Sequence, residues 1–196
     1  YGLDFQYAAQ RLILDDLQPS QYYDPTSNKV QFSADWQKAF QWDWDAIWKY
    51  HVRPGATASA STLLQPSNFD SGHVAMTFVP IWYICCMKDT AGKLKWDMAV
   101  VPNSFDGKPH VATDADTFRV IKSTKNPDAT FTVLTFLLKD AVPVLAPTYG
   151  AFPARASAQQ GWIDSQSATY TQGVTWSVIK ASLAYVNPSN LHHESN

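Results

Sequence analysis

Two pairs of closely spaced carboxylates are the first groups in this sequence that could do chemistry. Asp43 and Asp45 lie two residues apart in a segment rich in Trp, and Asp114 and Asp116 form a second pair. Two carboxyl groups roughly 5 to 10 Å apart can hydrolyse a glycosidic bond. Residues two apart on a helix point to different sides, which argues against the first pair. The second pair would share a face if extended, but nothing nearby resembles an acid held in an apolar pocket with a raised pKa.

Motifs of other catalytic classes are absent from the sequence. No G-x-S-x-G, phosphate-binding loop or H-E-x-x-H occurs, and His192 and His193 adjoin Glu194 in a polar tail that is typical of a solvated end. Cys85 and Cys86 are adjacent in an apolar run, where a disulfide between neighbours would need a strained ring. We therefore expect both cysteines to be small buried hydrophobic residues. We also expect no enzyme activity, no metal site and no cofactor.

Composition limits the kinds of partner that this chain of 196 residues can have. It contains 8 Trp, 9 Tyr and 10 Phe, more than one core of this size needs, so some of these rings are expected to face a ligand. The formal net charge is -2 and the basic residues are scattered singly, which argues against nucleic acid as a partner. No run approaches the about 20 apolar residues of a membrane span, so we expect no direct membrane insertion of this segment.

Helical spacing of apolar residues indicates the elements that would position these groups. The clearest helix has Ser33 as its N-cap and carries Trp36, Trp44 and Trp48 at helical spacing, which predicts a stripe that faces the core. Another begins with Asn126 as N-cap before a proline at the first helical position. Helices are predicted in four segments: residues 5–14, 33–50, 126–140 and 175–186.

Three segments between the predicted helices are rich in apolar and β-branched residues. They lack polar alternation, so the sheet that they form is expected to be covered on both faces. Strands alternating with helices predict an α/β class, with residues 1–196 as a single domain. The predicted strands are residues 73–79, 95–102 and 116–122, and residues 146–155 are predicted to be a loop bounded by prolines.

The stretch NFDSGHVAMTFVPIWYICC combines a turn, an apolar run and a Trp that follows a proline. Gly72 permits the positive φ that reverses the chain, and Met76 is expected to fill the core from the strand that follows. Pro80 cannot donate to a strand ladder, so the chain is expected to turn outward there. Because ligands in open α/β sheets bind outside such strand ends, Trp82 is predicted to lie on a cleft wall. The alternative is that Trp82 is a core residue.

Several segments, taken in order, resemble one family. Phe69, Gly72, Ala75, Met76 and Trp82 match a pattern of Phe-x-x-Gly-x-x-Ala-Met, a short strand and a Trp. Downstream, the segments WDMAVVP, FDGKP, DTFRVIK, STKNPDATFTVLTFLL and YGAFPAR follow the family order of strand, loop, strand, helix and loop. This arrangement resembles the extracellular solute-binding proteins of ABC importers, in particular the sugar-type group known as family 1.

The resemblance implies a type II periplasmic-binding-protein-like fold, with a ligand between two lobes. This chain would be mainly the second lobe, a mixed sheet covered by helices, and the first lobe would be largely absent, which fits the abrupt start of the sequence. The implied function is the substrate-binding component of an ABC transporter, which captures a sugar or oligosaccharide and delivers it to the permease subunits. The implied location is extracytoplasmic, in the periplasm or lipid-anchored at the cell surface.

The resemblance also implies a set of ligand-binding residues. A sugar has an apolar face and a rim of hydroxyls, so its site needs flat rings and a few carboxylates or amides. The expected rings are Trp82, Tyr149 and Phe152, with the alternative that Phe152 anchors its own loop. Asp114 and Asp116 are the expected hydroxyl partners, with the alternative that both are solvated loop acids.

Two other functions are compatible with the same residues. A carbohydrate-active enzyme or a carbohydrate-binding module would share the aromatic content. A receptor of the same kind could instead carry a polyamine, a metal complex or another small solute, although a cationic cargo would require more carboxylates in the cleft than the sequence provides.

Overall fold

The computed structural model describes residues 1–5, 23–24, 26–30, 34–104, 107–113 and 115–188. The predicted helix at residues 5–14 lies, apart from Phe5, outside this part of the chain. The chain divides into two compact units. Unit 1 comprises Tyr1–Val79, Met98–Asp114 and Ser177–Asn196, and unit 2 comprises Pro80–Asp97 and Ala115–Trp176. A single domain over residues 1–196 stays a prediction.

Helix predominates over strand in the described residues, which agrees with the mixed helix-and-strand class that the sequence predicts. The helices are α1 (Ala34–Trp48), α2 (Ala56–Ser59), α3 (Pro127–Lys139), α4 (Val142–Tyr149), α5 (Ala156–Thr169) and α6 (Ser177–Ser182). The strands are β1 (Leu3–Phe5), β2 (Tyr23–Asp24), β3 (Lys29–Val30), β4 (Met76–Phe78), β5 (Val111–Thr113) and β6 (Val186–Pro188). Short 3₁₀ turns occupy Thr62–Leu64, Ile81–Cys85, Lys88–Thr90 and Leu183–Tyr185.

The strands of unit 1 pair into three sheets of two strands each among the described residues. β1 runs parallel to β4, β2 antiparallel to β3, and β5 parallel to β6. In the first sheet Phe5 is buried and stacks on Phe78 with 5.1 Å between ring centroids. The predicted strand at residues 73–79 forms only over three residues, and Met76 is 60% exposed, so it does not fill the core. Val74, just before the strand, is the buried residue instead.

Helix α1 forms where the sequence predicts it, but its buried face is a different one. Ala39 and Ala46 are fully or nearly fully buried, and Asp43 between them is buried as well. Trp44 is 54% exposed and Trp48 is 63% exposed. The predicted core-facing Trp stripe is therefore wrong. Small side chains allow the helix to approach its neighbours closely, and the large rings project from the opposite faces.

An ion pair explains why a carboxylate lies on the buried face of α1. The Arg53 guanidinium donates to Asp43, and its Nε lies 3.5 Å from Oδ1 of Asp4 on β1. Asn68 donates from Nδ2 to the other oxygen of Asp4 at 2.8 Å. Both carboxylates are buried, so each needs such a partner. Asp43 thus has a structural role in unit 1, joining α1 to β1 through Arg53.

Unit 2 is built around buried aromatic rings. Trp162 of α5 is 1% exposed, and its ring meets that of Trp176 edge-on with 5.7 Å between centroids. Tyr170, also 1% exposed, packs with Trp176 and with Trp96, at 6.0 and 5.3 Å between centroids. Part of the aromatic content is therefore core in this unit, where Trp162, Tyr170 and Trp176 are buried. Asp97 fixes this region further, because it accepts hydrogen bonds from the backbone N–H and the hydroxyl of Thr175.

Several elements predicted after residue 80 differ in the structure. Helix α3 begins at Pro127 after Asn126, as the sequence predicts, although the Asn126 side chain makes no capping hydrogen bond. Helix α5 has no counterpart among the predicted elements. Residues 95–102 and 116–122 form no strand, and residues 115–123 are exposed throughout. The predicted loop at residues 146–155 is helical up to Tyr149.

The length and composition of the described helices bear on whether one of them could span a membrane. No single helix in the described residues is long and apolar enough to cross a membrane. Helices α3 and α4 meet the criterion only when taken together, and they are bent by 66° relative to each other.

Candidate functional site

A 3₁₀ turn in unit 2 positions Trp82. Pro80 is extended, with φ -62° and ψ 148°, and the turn Ile81–Cys85 follows it directly. The N–H of Tyr83 donates to the Pro80 carbonyl at 2.9 Å. Tyr83 and Ile84 are buried, whereas Trp82 is half-buried. The sequence predicts that the chain turns outward at Pro80, and the turn begins there because proline fixes φ and donates no hydrogen bond.

The second segment of the candidate site is the end of helix α4. Tyr149 is the last helical residue and is 51% exposed. Gly150 follows in the left-handed conformation, with φ 91°, and its N–H donates to the Ala146 carbonyl at 2.8 Å. This is a common way for a helix to end, and it favours glycine because a Cβ resists positive φ. The conformation leaves Tyr149 at the surface of the unit.

Gly150 joins these two segments. A Cβ at residue 150 would lie 2.5 Å from the Trp82 carbonyl oxygen and 3.0 Å from the Cys85 nitrogen. Only a residue without a side chain can therefore lie against the backbone of the turn at this distance. The structure brings the predicted residues Trp82 and Tyr149 into neighbouring segments of one unit, through a backbone contact that the sequence alone does not predict.

Two buried aromatic residues support the same arrangement from the interior. The hydroxyl of Tyr170 donates to the Ile84 carbonyl at 2.9 Å, which satisfies a buried group of the turn. The indole nitrogen of Trp162 donates to the Ala146 carbonyl in the last turn of α4 at 3.3 Å. Reasoning from the sequence missed both residues. Local spacing gives no signal for them, because eight residues turn about 80° away from the starting face of a helix and Tyr170 lies just after the end of α5.

Phe152 lies in the loop after Gly150 and is half-buried. Its ring meets that of Trp162 at 90°, with 5.3 Å between centroids. Pro153 beside it is buried, and its carbonyl accepts a hydrogen bond from Gln159 at 3.1 Å. These contacts fix the loop to α5, as the alternative assignment of Phe152 as a loop anchor requires. Its role as a ligand-binding ring stays a prediction.

The predicted carboxylates have less structural context. Asp114 lies outside the described residues. Asp116 is exposed, in a segment that forms no strand. No sheet pairing therefore fixes an extended conformation at Asp116 that would place two acids on one face. Hydrogen bonding of either acid to a ligand stays a prediction.

The two cysteines lie on the same turn as Trp82. Cys85 is partly exposed and Cys86 is exposed, so the prediction that both are buried is wrong. Their sulfur atoms are 3.2 Å apart. The described residues contain no group of three or more His, Cys, Asp and Glu side chains arranged to hold a metal ion.

The arrangement offers a half-buried indole, an exposed phenol and a rigid backbone connection between them. Such groups bind flat or amphipathic molecules by stacking and hydrogen bonding. Comparisons with protein-family models, with curated proteins and with solved structures find no match.

Proposed function

We propose that this chain is mainly the second lobe of the substrate-binding component of a sugar-type ABC importer. In this proposal the lobe has a type II periplasmic-binding-protein-like fold, binds a sugar or oligosaccharide against a first lobe, and delivers it to the permease subunits outside the cytoplasm. The order of sequence motifs supports the family assignment. The two-stranded sheets of the described residues add little to it.

The observation that carries the proposal is the contact of Gly150 with the turn that bears Trp82. A sugar site built from Trp82 and Tyr149 requires that their two segments be adjacent and rigid. Gly150 meets the backbone of residues 82 and 85 at a distance that excludes a Cβ. Tyr170 fixes the same turn through the Ile84 carbonyl.

The proposed binding chemistry is stacking without reaction. The Trp82 ring would lie against the apolar C–H face of a sugar, and the Tyr149 hydroxyl would meet its hydroxyl rim. Burial of the apolar face of the sugar against the ring contributes about 25 cal/mol per Å² of apolar surface removed from water. Ligand that bridges two lobes favours the closed state of the receptor by its differential affinity for that state.

The test is a titration of the complete gene product with a panel of mono- and oligosaccharides, followed by intrinsic Trp fluorescence. Trp82→Ala is compared with Trp48→Ala, because Trp48 is 63% exposed and belongs to unit 1. We expect one class of sugar to bind, Trp82→Ala to weaken binding about tenfold, and Trp48→Ala to bind normally. Undiminished binding by Trp82→Ala would remove this residue from the site.

The same panel distinguishes the other functional classes. Turnover of a glycoside that is lost in Asp116→Asn would favour a carbohydrate-active enzyme instead. Binding of a polyamine or a metal complex, with no response to any sugar, would keep the receptor and change its cargo.

A further inference from the structure

The adjacent thiols of Cys85 and Cys86 have a geometry that neither the fold nor the proposed function uses. They end the 3₁₀ turn of unit 2, with their sulfur atoms 3.2 Å apart and both residues accessible to solvent to some degree. The sequence contains no other cysteine. Every reaction of this chain with a thiol reagent therefore reports on this pair.

The distance between the two sulfur atoms bears on whether the pair forms a disulfide or binds a bridging atom. A disulfide needs sulfurs about 2.05 Å apart and Cα atoms at least about 4.4 Å apart. Neighbouring Cα atoms are only about 3.8 Å apart across a trans peptide. Closing the pair into a disulfide would therefore shorten the sulfur–sulfur distance by about 1.2 Å and strain the intervening peptide.

A bridging atom fits the thiols as they stand. Two bonds of about 2.3 Å, the length of a zinc–thiolate bond, place sulfurs about 3.8 Å apart if they meet at a tetrahedral angle and about 3.3 Å apart if they meet at a right angle. The observed 3.2 Å matches the right angle. Angles close to 90° are characteristic of pyramidal trivalent arsenic.

The backbone around the pair resists rearrangement. The N–H of Cys86 donates to the Tyr83 carbonyl at 2.8 Å, and Gly150 lies against the Cys85 nitrogen. The Ile84 carbonyl accepts the buried hydrogen bond from Tyr170. These contacts oppose the peptide distortion that a disulfide requires, and they fix the backbone from which both thiols project.

We infer that Cys85 and Cys86 form a vicinal dithiol site for thiophilic trivalent arsenic, with organoarsenic(III) compounds as the ligand class. In the reaction with an arsine oxide, the two S–H bonds and the arsenic–oxygen double bond break. Two arsenic–sulfur bonds form, and the oxygen leaves as water with both protons. Arsenic stays trivalent, so no oxidant or reductant is needed. Arsenic binding at this pair does not require that the chain bind a sugar.

The test uses the reduced, purified chain and phenylarsine oxide as the probe. We expect intact-mass analysis to show one phenylarsenic group per chain, and both thiols to lose their reaction with Ellman's reagent. A dithiol such as 2,3-dimercaptopropanol should release the probe, whereas the same concentration of glutathione should not.

Variants test the requirement for both sulfurs. Cys85→Ser and Cys86→Ser should each weaken retention of the probe about 100-fold, because the second bond of a chelate forms at high effective concentration. The double variant, which has no thiol, is the control for non-specific uptake, and circular dichroism checks that each variant folds. The measurements on the unaltered chain stand without the variants if these do not fold.

Three results would overturn the inference. The thiols could stay reactive towards Ellman's reagent after treatment with the probe. A single variant could retain the probe as well as the unaltered chain does. The chain could lose two hydrogen atoms and re-form a disulfide as soon as the reductant is removed, which would make the pair a redox couple instead.

Discussion

Substitution of Gly150 by alanine tests the contact that joins helix α4 to the turn bearing Trp82. Two separate effects are expected. The residue has φ 91°, a conformation that costs a residue with a Cβ about 1–2 kcal/mol. In addition, the Cβ would lie 2.5 Å from the Trp82 carbonyl oxygen, so backbone must move, at about 1–3 kcal/mol as for other overpacked sites. The expected loss in the free energy of unfolding is about 2–5 kcal/mol.

Gly173 provides a matched control in the same unit. Its φ is 88°, nearly that of Gly150, but a Cβ there would have no atom within 4 Å. Gly173→Ala therefore carries only the conformational effect, about 1–2 kcal/mol. The difference between the two variants isolates the contact with the turn.

The assay is equilibrium unfolding in urea, followed by Trp fluorescence and by circular dichroism. We expect the midpoint of Gly150→Ala to fall clearly below that of Gly173→Ala, with the slope of the transition unchanged. Equal losses in both variants would show that residue 150 does not press against the turn. The contact between Gly150 and the turn that bears Trp82, on which the candidate site depends, would then be refuted.

Three further predictions concern side chains that stabilise unit 1 or unit 2, and each is measured by the same unfolding assay. Asp43→Ala should lower the free energy of unfolding by about 2–3 kcal/mol, because it leaves the Arg53 guanidinium with only the Asp4 carboxylate. An unchanged free energy of unfolding would contradict the ion pair between Asp43 and Arg53. Tyr170→Phe should lower it by about 1–2 kcal/mol and shift the Trp fluorescence, because a buried carbonyl of the turn loses its donor; a neutral effect would show that this hydrogen bond is not formed. Trp162→Ala should lower the free energy of unfolding by about 3–5 kcal/mol, whereas Trp48→Ala should change it by less than about 0.5 kcal/mol. The reverse order of these two losses would support the core-facing Trp stripe predicted from the sequence.

The sequence predicts the helices whose ends have a local cause. Helix α3 begins at Pro127 as expected, since proline suits the first helical position. Helix α1 follows from its apolar spacing. Its orientation does not, because Arg53, which follows the helix, and Asp4, in β1, turn the Asp43 face inward. Spacing identifies a helix, but partners elsewhere in the chain decide which face is buried.

Two predicted strands and helix α5 show where local sequence patterns fail to predict the structure. Apolar runs at residues 95–102 and 116–122 have the composition of strands, but a strand also needs a hydrogen-bonding neighbour, and the structure pairs β5 with β6 instead. Helix α5 contains mostly polar residues, with Trp162 and Gln166 as its buried positions. One large ring per helix gives no periodic signal, so this element is not predicted.

The candidate site could be predicted in part. A proline before Trp82 indicates where the chain turns, and a glycine after Tyr149 indicates where a helix or loop changes direction. That these two points meet depends on packing between segments about 70 residues apart, which local patterns do not encode. The Tyr170 hydrogen bond to Ile84 is of the same long-range kind.

The proposed function depends on stacking of the Trp82 ring against a bound sugar in the complete receptor. Calorimetric titration of the complete gene product with the sugar selected from the panel tests it most directly, with Trp82→Ala and Trp82→Phe measured side by side. We predict that the dissociation constant rises about tenfold for the alanine variant and by less for the phenylalanine variant, because a smaller ring keeps part of the stack. Equal dissociation constants for all three proteins, or no binding of any sugar by the unaltered protein, would contradict the proposal.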